Sequence, residues 1–562
     1  MSPVEIERPR RWDQPFGDRP LSDEWVEKAL QQPSMNCIVP EAFPARLPLA
    51  DLMRHDARLI EAREGNLIVR QGDYGDSVFV LCTGRLLVVV DPEGELGYRH
   101  KQDSRKLSWL GAIAQLWRNS SFAEKRSIAD PISETGSLTK DGGDSRISLD
   151  DRKEFIGRGL PADIQAGEMV GEIAALRRSA RTATLVAAED CQLVEIRWQG
   201  IRDLMRFTPD LKHRIEELFR SRGRAHLIEQ SPIFSDVPEK LLTAAVKASR
   251  FEIHGNEAWN KGLRKWMGDD EGTVSAREET VIEAGDLLDG VRVIVSGFAA
   301  RITIAAGPAQ QTLGYTRPGD LFGLDEIIDS AANGTPALAR TSLRAIGTLD
   351  LMVIPTDNFL TQIAPYLDEK KLDEQRISRT WSGNLSQGML DFLVDQRTIN
   401  GTSAMLIDLD RCTGCDDCVK ACAVTHDNNP RFLRRGYRHA HLLVANACMH
   451  CVDPVCLVGC PTGAIHRTRT TGVVVIDDLT CIGCGVCVEA CPYDSIRTVE
   501  IRDQGGNLVV DAKTGAPIVK ATKCDLCLGQ PAGPACQNAC PHDALNRIDF
   551  GNPRSLVDWI SG

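Results

Sequence analysis

The stretch RCTGCDDCVKAC, residues 411–422, is followed by CMHCVDPVCLVGCPTGAI at 448–465, DDLTCIGCGVCVEACPYDSI at 477–496 and KCDLCLGQPAGPACQNACPHDAL at 523–545. Sixteen of the nineteen cysteines lie in these four groups, between Cys412 and Cys540. Cys412, Cys415, Cys418 and Cys422 are spaced C-x2-C-x2-C-x3-C, and Cys481, Cys484, Cys487 and Cys491 repeat that spacing and add Pro492. Cys448, Cys451, Cys456 and Cys460 read C-x2-C-x4-C-x3-C-P; Cys524, Cys527, Cys536 and Cys540 read C-x2-C-x8-C-x3-C-P. A cubane of iron and sulfide needs four thiolates. Three from one tight loop grip three iron corners, and a fourth arrives from elsewhere, as the last cysteine of a C-x3-C-P end does when two clusters face each other. Four groups therefore predict four 4Fe-4S clusters and an electron-carrying role.

Structural zinc and disulfides fit this pattern poorly. Zinc takes closed sets of four ligands, typically paired C-x2-C units, and has no use for a third cysteine at the next x2 step. A disulfide framework needs an oxidising compartment, whereas the N-terminus MSPVEIERPRRWDQPF has no apolar h-region and the cysteine total is odd. An internal repeat supports clusters: five residues after the closing cysteine stand Ile465, Ile496 and Leu545, placed to pack over a cluster face and exclude water. The first group departs from the repeat, since Ala423 follows Cys422.

The four quoted runs, in this order and spacing over about residues 403–548, resemble the four-cluster ferredoxin-like subunits of complex molybdenum oxidoreductases, above all the electron-transfer subunit of the dimethyl sulfoxide reductase type. The resemblance implies that Cys412, Cys415, Cys418 and Cys540 hold one cluster and that Cys524, Cys527, Cys536 and Cys422 hold its partner. It likewise implies a third cluster on Cys448, Cys451, Cys456 and Cys491, and a fourth on Cys481, Cys484, Cys487 and Cys460. It further implies a catalytic partner subunit carrying a molybdopterin or flavin, and a second partner such as a ferredoxin or a quinone-linked anchor. The x8 gap of the last group departs from some members and bears on the docking surface more than on ligation.

A chain of 562 residues is too long for a single core, and three or four domains are expected. Its net charge of −12 argues against a general nucleic-acid-binding role. No uninterrupted apolar run is long enough to span a bilayer, and the most apolar stretch, VRVIVSGFAARITIAAG from Val291, alternates and contains Arg301, as paired strands do. The Arg10-Arg11 pair lacks a following apolar segment, so an export signal is not expected. The cytoplasm is the expected address, with peripheral attachment to a membrane complex as a variant.

The first 400 residues change texture. GNLIVRQGDYGDSVFVLCTGRLLVVV at 65–90 and TVIEAGDLLDGVRVIVSGFAARITI at 280–304 each alternate apolar positions between glycine turns, and each is preceded by a helix-turn phrase and followed by a helix. One β-roll module is thus duplicated. In the first copy, AGEMVGEIAALRRSARTATLVA at 166–187 resembles the phosphate-binding cassette of cyclic-nucleotide-binding domains. There Gly171 would let the backbone approach, Ile173 and Ala174 would offer N–H groups, and Glu172 would accept from a ribose 2′-hydroxyl. Arg181 would pair with the cyclic phosphate of cAMP or cGMP, and Thr182 would bond phosphate or base. In the second copy Leu324 follows Gly323 where the glutamate is required, although Arg340 and Thr341 remain, so a degenerate module is expected.

The expected fold is multidomain α+β, with two tandem β-roll modules followed by an internally repeated ferredoxin-like domain. Its bounds are a first nucleotide-binding module at 36–226 with an insertion at about 91–160, and a second module at 227–368. A helical linker follows at 369–402, then the four-cluster domain at 403–548 and a tail at 549–562. The insertion, with its apolar patch from Leu107 to Trp117, reads as a partly ordered surface loop or a partner dock; NEAWNKGLRKWMGDDEGTVSAREE in the second module carries the same ambiguity. RFLRRGYRH at 431–439 reads as a solvated loop ahead of a basic patch that raises cluster potentials or meets an acidic partner, and His450 as a surface or packing residue ahead of one that tunes a cluster potential through a hydrogen bond. Cys37, Cys82 and Cys191 read as core residues. No dinucleotide fingerprint, Walker loop or nucleophile elbow is present, so the chain reads as a non-catalytic electron-transfer subunit. The competing readings are a redox- and nucleotide-responsive transcriptional regulator and a self-contained reductase.

Overall fold

The computed structural model describes residues 3–89, 124, 162–229, 232–255, 278–304, 310–368, 370, 372, 387–528, 530 and 532–550. The apolar patch at Leu107 to Trp117, the segment just before Glu278, most of the expected linker and most of the tail lie outside them.

Alternation of apolar and polar residues over 65–90 builds two facing sheets. Ala57–Ala62, Cys191–Arg197, Ser77–Thr83 and Met169–Val170 form one; Leu67–Val69, Thr184–Ala187, Arg85–Val89 and Ala162–Gln165 form the other. Phe79, Leu81, Leu86, Ile164 and Leu193 fill the space between them. Full burial of such side chains stabilises by about 1.5–3 kcal/mol each. The helices Trp198–Phe207 and Pro209–Glu229 close the module, and Leu211 and Ile215 are buried with Leu218 packed beside them.

The second module is built on the long strand Gly290–Ile304, which pairs antiparallel with Ser342–Pro355, Gln310–Thr316 and Leu321–Phe322. Arg250–His254 and Thr280–Ile282 add to Ser342–Pro355. The alternating stretch from Val291 is thus a strand buried through Val293, Ile294, Val295 and Ala299.

In the C-terminal part, Ala404–Asp408 is the centre of a four-stranded sheet, between Leu442–Asn446 and Leu545–Ile548, with Leu433–His439 outside Leu442–Asn446. The basic run at 431–439 is therefore largely a strand rather than a loop, because pairing with Leu442–Asn446 satisfies its backbone. Two-stranded ribbons, Ile465–Arg467 with Val474–Ile476 and Arg497–Glu500 with Val519–Thr522, flank the cysteine loops. Val4–Ile6 pairs in parallel with Val509–Asp511, which ties the N-terminus to this part.

One buried apolar cluster runs from Leu52, Val80 and Ile201 of the first module through Phe298 and Ile346 of the second to Leu457, Ile465 and Val474. The parts are thus packed on one another. Of the expected insertion, Glu124 is buried and its carboxylate accepts from Arg431 Nη1 at 2.9 Å. Among the described residues no helix is long and apolar enough to cross a membrane.

Candidate metal centres and phosphate cassette

Short helices set the spacing of the cysteines. Cys418 and Cys422 lie on Asp417–Thr425, Cys456 on Val455–Val458, Cys487 on Val486–Ala490 and Cys536 on Ala535–Asn538. Each loop before a helix coils tightly enough to turn several thiols toward one point. Gly483 is a case in which only glycine serves: its φ is +67°, and a Cβ there would stand 1.9 Å from the Val519 carbonyl oxygen.

Each group gives three thiols to one set and its fourth to another. Cys412, Cys415, Cys418 and Cys540 line one cavity with Arg434 and His542. The Cys418 thiol is pushed up to about 11 by burial and then by Cys540 and Cys412. Burial, Cys448, Cys456 and Cys491 hold Cys451 well above the usual thiol value. Burial, Cys481, Cys460 and Cys484 push Cys487 up to about 12. Burial pushes Cys536 up to about 11; Arg547 opposes the shift, while Cys524 and Cys422 add to it. All sixteen thiols are free of disulfides, and Cys415 and Cys484 are exposed. Thiols that raise one another's pKa in this way need positive charge to ionise together, and bound iron would supply it. Backbone N–H groups point at sulfur as they would at a thiolate, from Arg431 to Cys422 at 3.2 Å and from Ala544 to Cys540 at 3.4 Å. Four sulfur donors per set fit a 4Fe-4S cluster.

Several polar residues around the sets were not legible as site residues. His426 donates from Nε2 to Asp525 at 2.9 Å and lies 3.8 Å from Cys422 Sγ. Burial opposes its protonation, but Asp525 and Cys422 prevail and hold it up at about 10. His426, Asp525 and Cys527 could share a metal ion, a geometry that Cys527's membership of a four-thiol set already explains. His450 is buried rather than at the surface; its Nδ1 accepts from Val474 N at 3.2 Å, so its Nε2 carries the proton and has no partner among the described residues. Lys523 and Arg547 stand between two thiol sets. A lysine directly before Cys524 and an arginine two residues after Leu545 were the available signals.

In the first module Gly171, with φ of +88°, turns the chain from Met169–Val170 into the helix Glu172–Arg177. Ile173 and Ala174 are buried in that helix, and Thr182 is half-buried after it. Glu172, 1% exposed, accepts from Arg222 of the closing helix at 3.2 Å, while the same guanidinium donates to Met169 O at 2.6 Å. Arg181 comes back to this turn: its Nη1 donates to Ser77 O at 2.8 Å and Gly171 O at 3.1 Å, and its Nη2 to Ser77 Oγ at 3.0 Å. Gly171, Glu172 and Arg181 thus lie at one turn, with Arg181 held by protein acceptors. In the second module Gly323 repeats the turn with φ of +83°, but Arg340 is exposed and paired with Asp329, and buried Thr341 Oγ1 has no partner among the described residues.

The first cassette lies directly on the cysteine loops. Arg467 Nε donates to Arg178 O at 2.9 Å while its Nη2 donates to Cys451 O at 2.6 Å and Val452 O at 2.8 Å. Arg178 pairs with Asp453. Arg469 Nε reaches Asp73 at 2.8 Å, and Tyr74 N donates to Arg469 O at 2.7 Å. The Tyr74 ring lies under the Arg467 guanidinium, 5.1 Å from its centroid.

Residues 439–550 match the family model of a 4Fe-4S dicluster domain, and residues 146–206 and 274–366 match that of a cyclic nucleotide-binding domain. The electron transport protein HydN of Escherichia coli (strain K12) is 37% identical over 158 residues, 26% of this chain and 87% of that protein. One subunit of the anaerobic dimethyl sulfoxide reductase of the same organism is 34% identical over 165 residues, 26% of this chain and 71% of that protein. The match to a solved regulatory domain of Toxoplasma gondii PKA with cAMP covers 64% of this chain and 98% of that domain, at 13% identity and a TM-score of 0.21.

Proposed function

Since the chain is a member of the 4Fe-4S dicluster family through its C-terminal part, we propose that it is a non-catalytic electron-transfer subunit that carries four 4Fe-4S clusters and is regulated by a cyclic nucleotide. Each cluster, when bound, supplies a one-electron carrier. The ligand sets are Cys412, Cys415, Cys418 with Cys540; Cys524, Cys527, Cys536 with Cys422; Cys448, Cys451, Cys456 with Cys491; and Cys481, Cys484, Cys487 with Cys460. The observation that carries this reading is the convergence of sixteen thiols into four sets, each drawing its fourth member from another group. Anaerobic purification of the full chain should give about sixteen iron atoms per polypeptide. About eight would sink the four-cluster reading.

The layout is two tandem modules, 36–226 and 227–368, a linker at 369–402 and an internally repeated ferredoxin-like domain at 403–548. Exposed Cys415 and Cys484 belong to different sets and suit the two ends of a relay. One end would meet a catalytic subunit with a molybdopterin or flavin, the other a ferredoxin or a quinone-linked anchor.

Regulation would act through the first cassette. Gly171, Glu172, Ile173, Ala174, Arg181 and Thr182 form its candidate nucleotide site. A cyclic phosphate would compete with Ser77 O and Gly171 O for the Arg181 guanidinium and move the 178–181 turn, and Arg467 and Asp453 would pass that movement to the carbonyls of Cys451 and Val452. A nucleotide shifts such an equilibrium only by its difference in affinity for the two states. Titration calorimetry of the full chain with cAMP and cGMP, followed by hydrogen exchange, should show binding and altered protection at both 171–181 and 465–474. Loss of binding in Arg181→Lys would place the phosphate on this side chain. No heat and no change in exchange with either nucleotide would remove the regulatory reading and leave the electron-transfer reading intact.

A further inference from the structure

Lys523 is 5% exposed and sits between two of the thiol sets. Its Nζ donates to Cys448 Sγ at 3.3 Å and to Cys524 O at 2.9 Å, and also reaches Val474 O. Arg547 spans the same gap from the other side. Its Nη2 donates to Cys524 Sγ at 3.0 Å, and its Nη1 to Ser403 O at 3.0 Å and Cys448 O at 3.3 Å. Each cation therefore contacts both the Cys448 set and the Cys524 set.

Among the described residues neither cation has a carboxylate within ion-pair distance; Asp525, the acid next in sequence to Lys523 and Cys524, is bonded to His426. A buried cation without a counter-ion is costly; apart from Asp525, which lies near enough to feel Lys523, the groups that face these two are cysteine sulfurs, which a bound cluster would hold as thiolates. Arg434, beside the Cys412 set, is paired with Asp416 at 2.6 Å, and Lys520, beside the Cys481 set, donates to the backbone of Asp478 and Cys481.

We propose that Lys523 and Arg547 are a shared counter-charge for the two clusters held by the Cys448 and Cys524 sets, and act as positioning residues that raise the reduction potentials of both; the proposal rests on the four-cluster reading above. Each electron accepted adds one negative charge to a core enclosed by thiolates. A fixed cation about 3 Å from a ligand sulfur stabilises the reduced form, and in a site shielded from water that attraction is little screened. Because the two cations bridge the pair, they also offset the repulsion that an electron on one cluster exerts on an electron entering the other. Two adjacent carriers can then both be occupied.

The test is a potentiometric titration of the full chain, anaerobic and followed by electron paramagnetic resonance, with Lys523→Met and Arg547→Met beside the unaltered protein. Cys415→Ser and Cys484→Ser assign the signals of the other two clusters. Each neutral variant should lower the reduced-to-oxidised ratio of the two bridged clusters at least tenfold at fixed potential, about 59 mV for a one-electron couple. The larger shift should fall on the Cys448 cluster for Lys523→Met and on the Cys524 cluster for Arg547→Met. Lys523→Arg and Arg547→Lys should restore most of the shift. Unmoved potentials, an equal shift of all four clusters, or charge-keeping variants as perturbed as the neutral ones would each overturn the counter-charge. Where a neutral variant sheds iron, the same restoration decides: iron recovered by the charge-keeping variant supports the proposal and iron not recovered refutes it. Too little iron in the unaltered protein would instead undo the four-cluster reading.

Discussion

Replacing Cys491 by serine is expected to remove the cluster of Cys448, Cys451 and Cys456, and to spare that of Cys481, Cys484 and Cys487, the cysteines of its own group. Cys491 follows the helix Val486–Ala490, which carries Cys487, with extended backbone, φ −73° and ψ 113°. Its charge is felt by Cys451 and Cys456, whereas Cys487 feels Cys481, Cys460 and Cys484. Iron content should fall by about a quarter, and one of four paramagnetic signals should disappear. Cys460→Ser should remove a different signal. Were the two variants to lose the same one, the crossed ligation would be wrong.

The cysteine groups stand out in the sequence by their spacing, and Gly171, Glu172 and Arg181 as a turn, a carboxylate and a guanidinium at fixed offsets, and the structure brings the members of each together. What lay hidden depends on long-range packing. Arg178 and Arg467 are 289 positions apart, and nothing local marks either as the link between cassette and cysteine loop. Nothing local marks Lys523 as buried; the pairing of Val519–Thr522 with Arg497–Glu500 carries it into the interior. The basic run at 431–439 is largely a strand for the same reason, since its partner Leu442–Asn446 supplies the order that charge alone argues against. Val4–Ile6 pairs with a strand at the far end of the sequence, and three residues carry too little pattern to announce it.

Asp56→Ala is expected to destabilise the first module and its seat on the cysteine loops by about 3–5 kcal/mol, the range for breaking a buried ion pair from one side. Asp56 is fully buried at the end of the helix Leu49–Asp56. It accepts from Arg197 Nε at 2.9 Å and Nη2 at 2.5 Å, and from Arg11 Nη2 at 2.5 Å. Arg11 keeps a second acid, Asp203 at 2.7 Å, but among the described residues no second acid pairs with Arg197. The uncompensated charge would therefore fall on Arg197, whose Nη1 donates to Thr462 O at 2.9 Å, two residues beyond Cys460. Thr462 Oγ1 in turn lies 3.7 Å from Cys460 Sγ, so a change in the first module reaches the Cys460 thiol through one side chain. Because several domains unfold together or apart, a single melting midpoint is a poor measure. Hydrogen exchange of Cys191–Arg197 and of 460–465 reads the effect directly, and both segments should lose protection in Asp56→Ala. Asp56→Asn, which keeps an acceptor but no charge, should lose less. Unchanged protection at 460–465 with loss confined to the first module would mean that Arg197 does not carry the contact between the two.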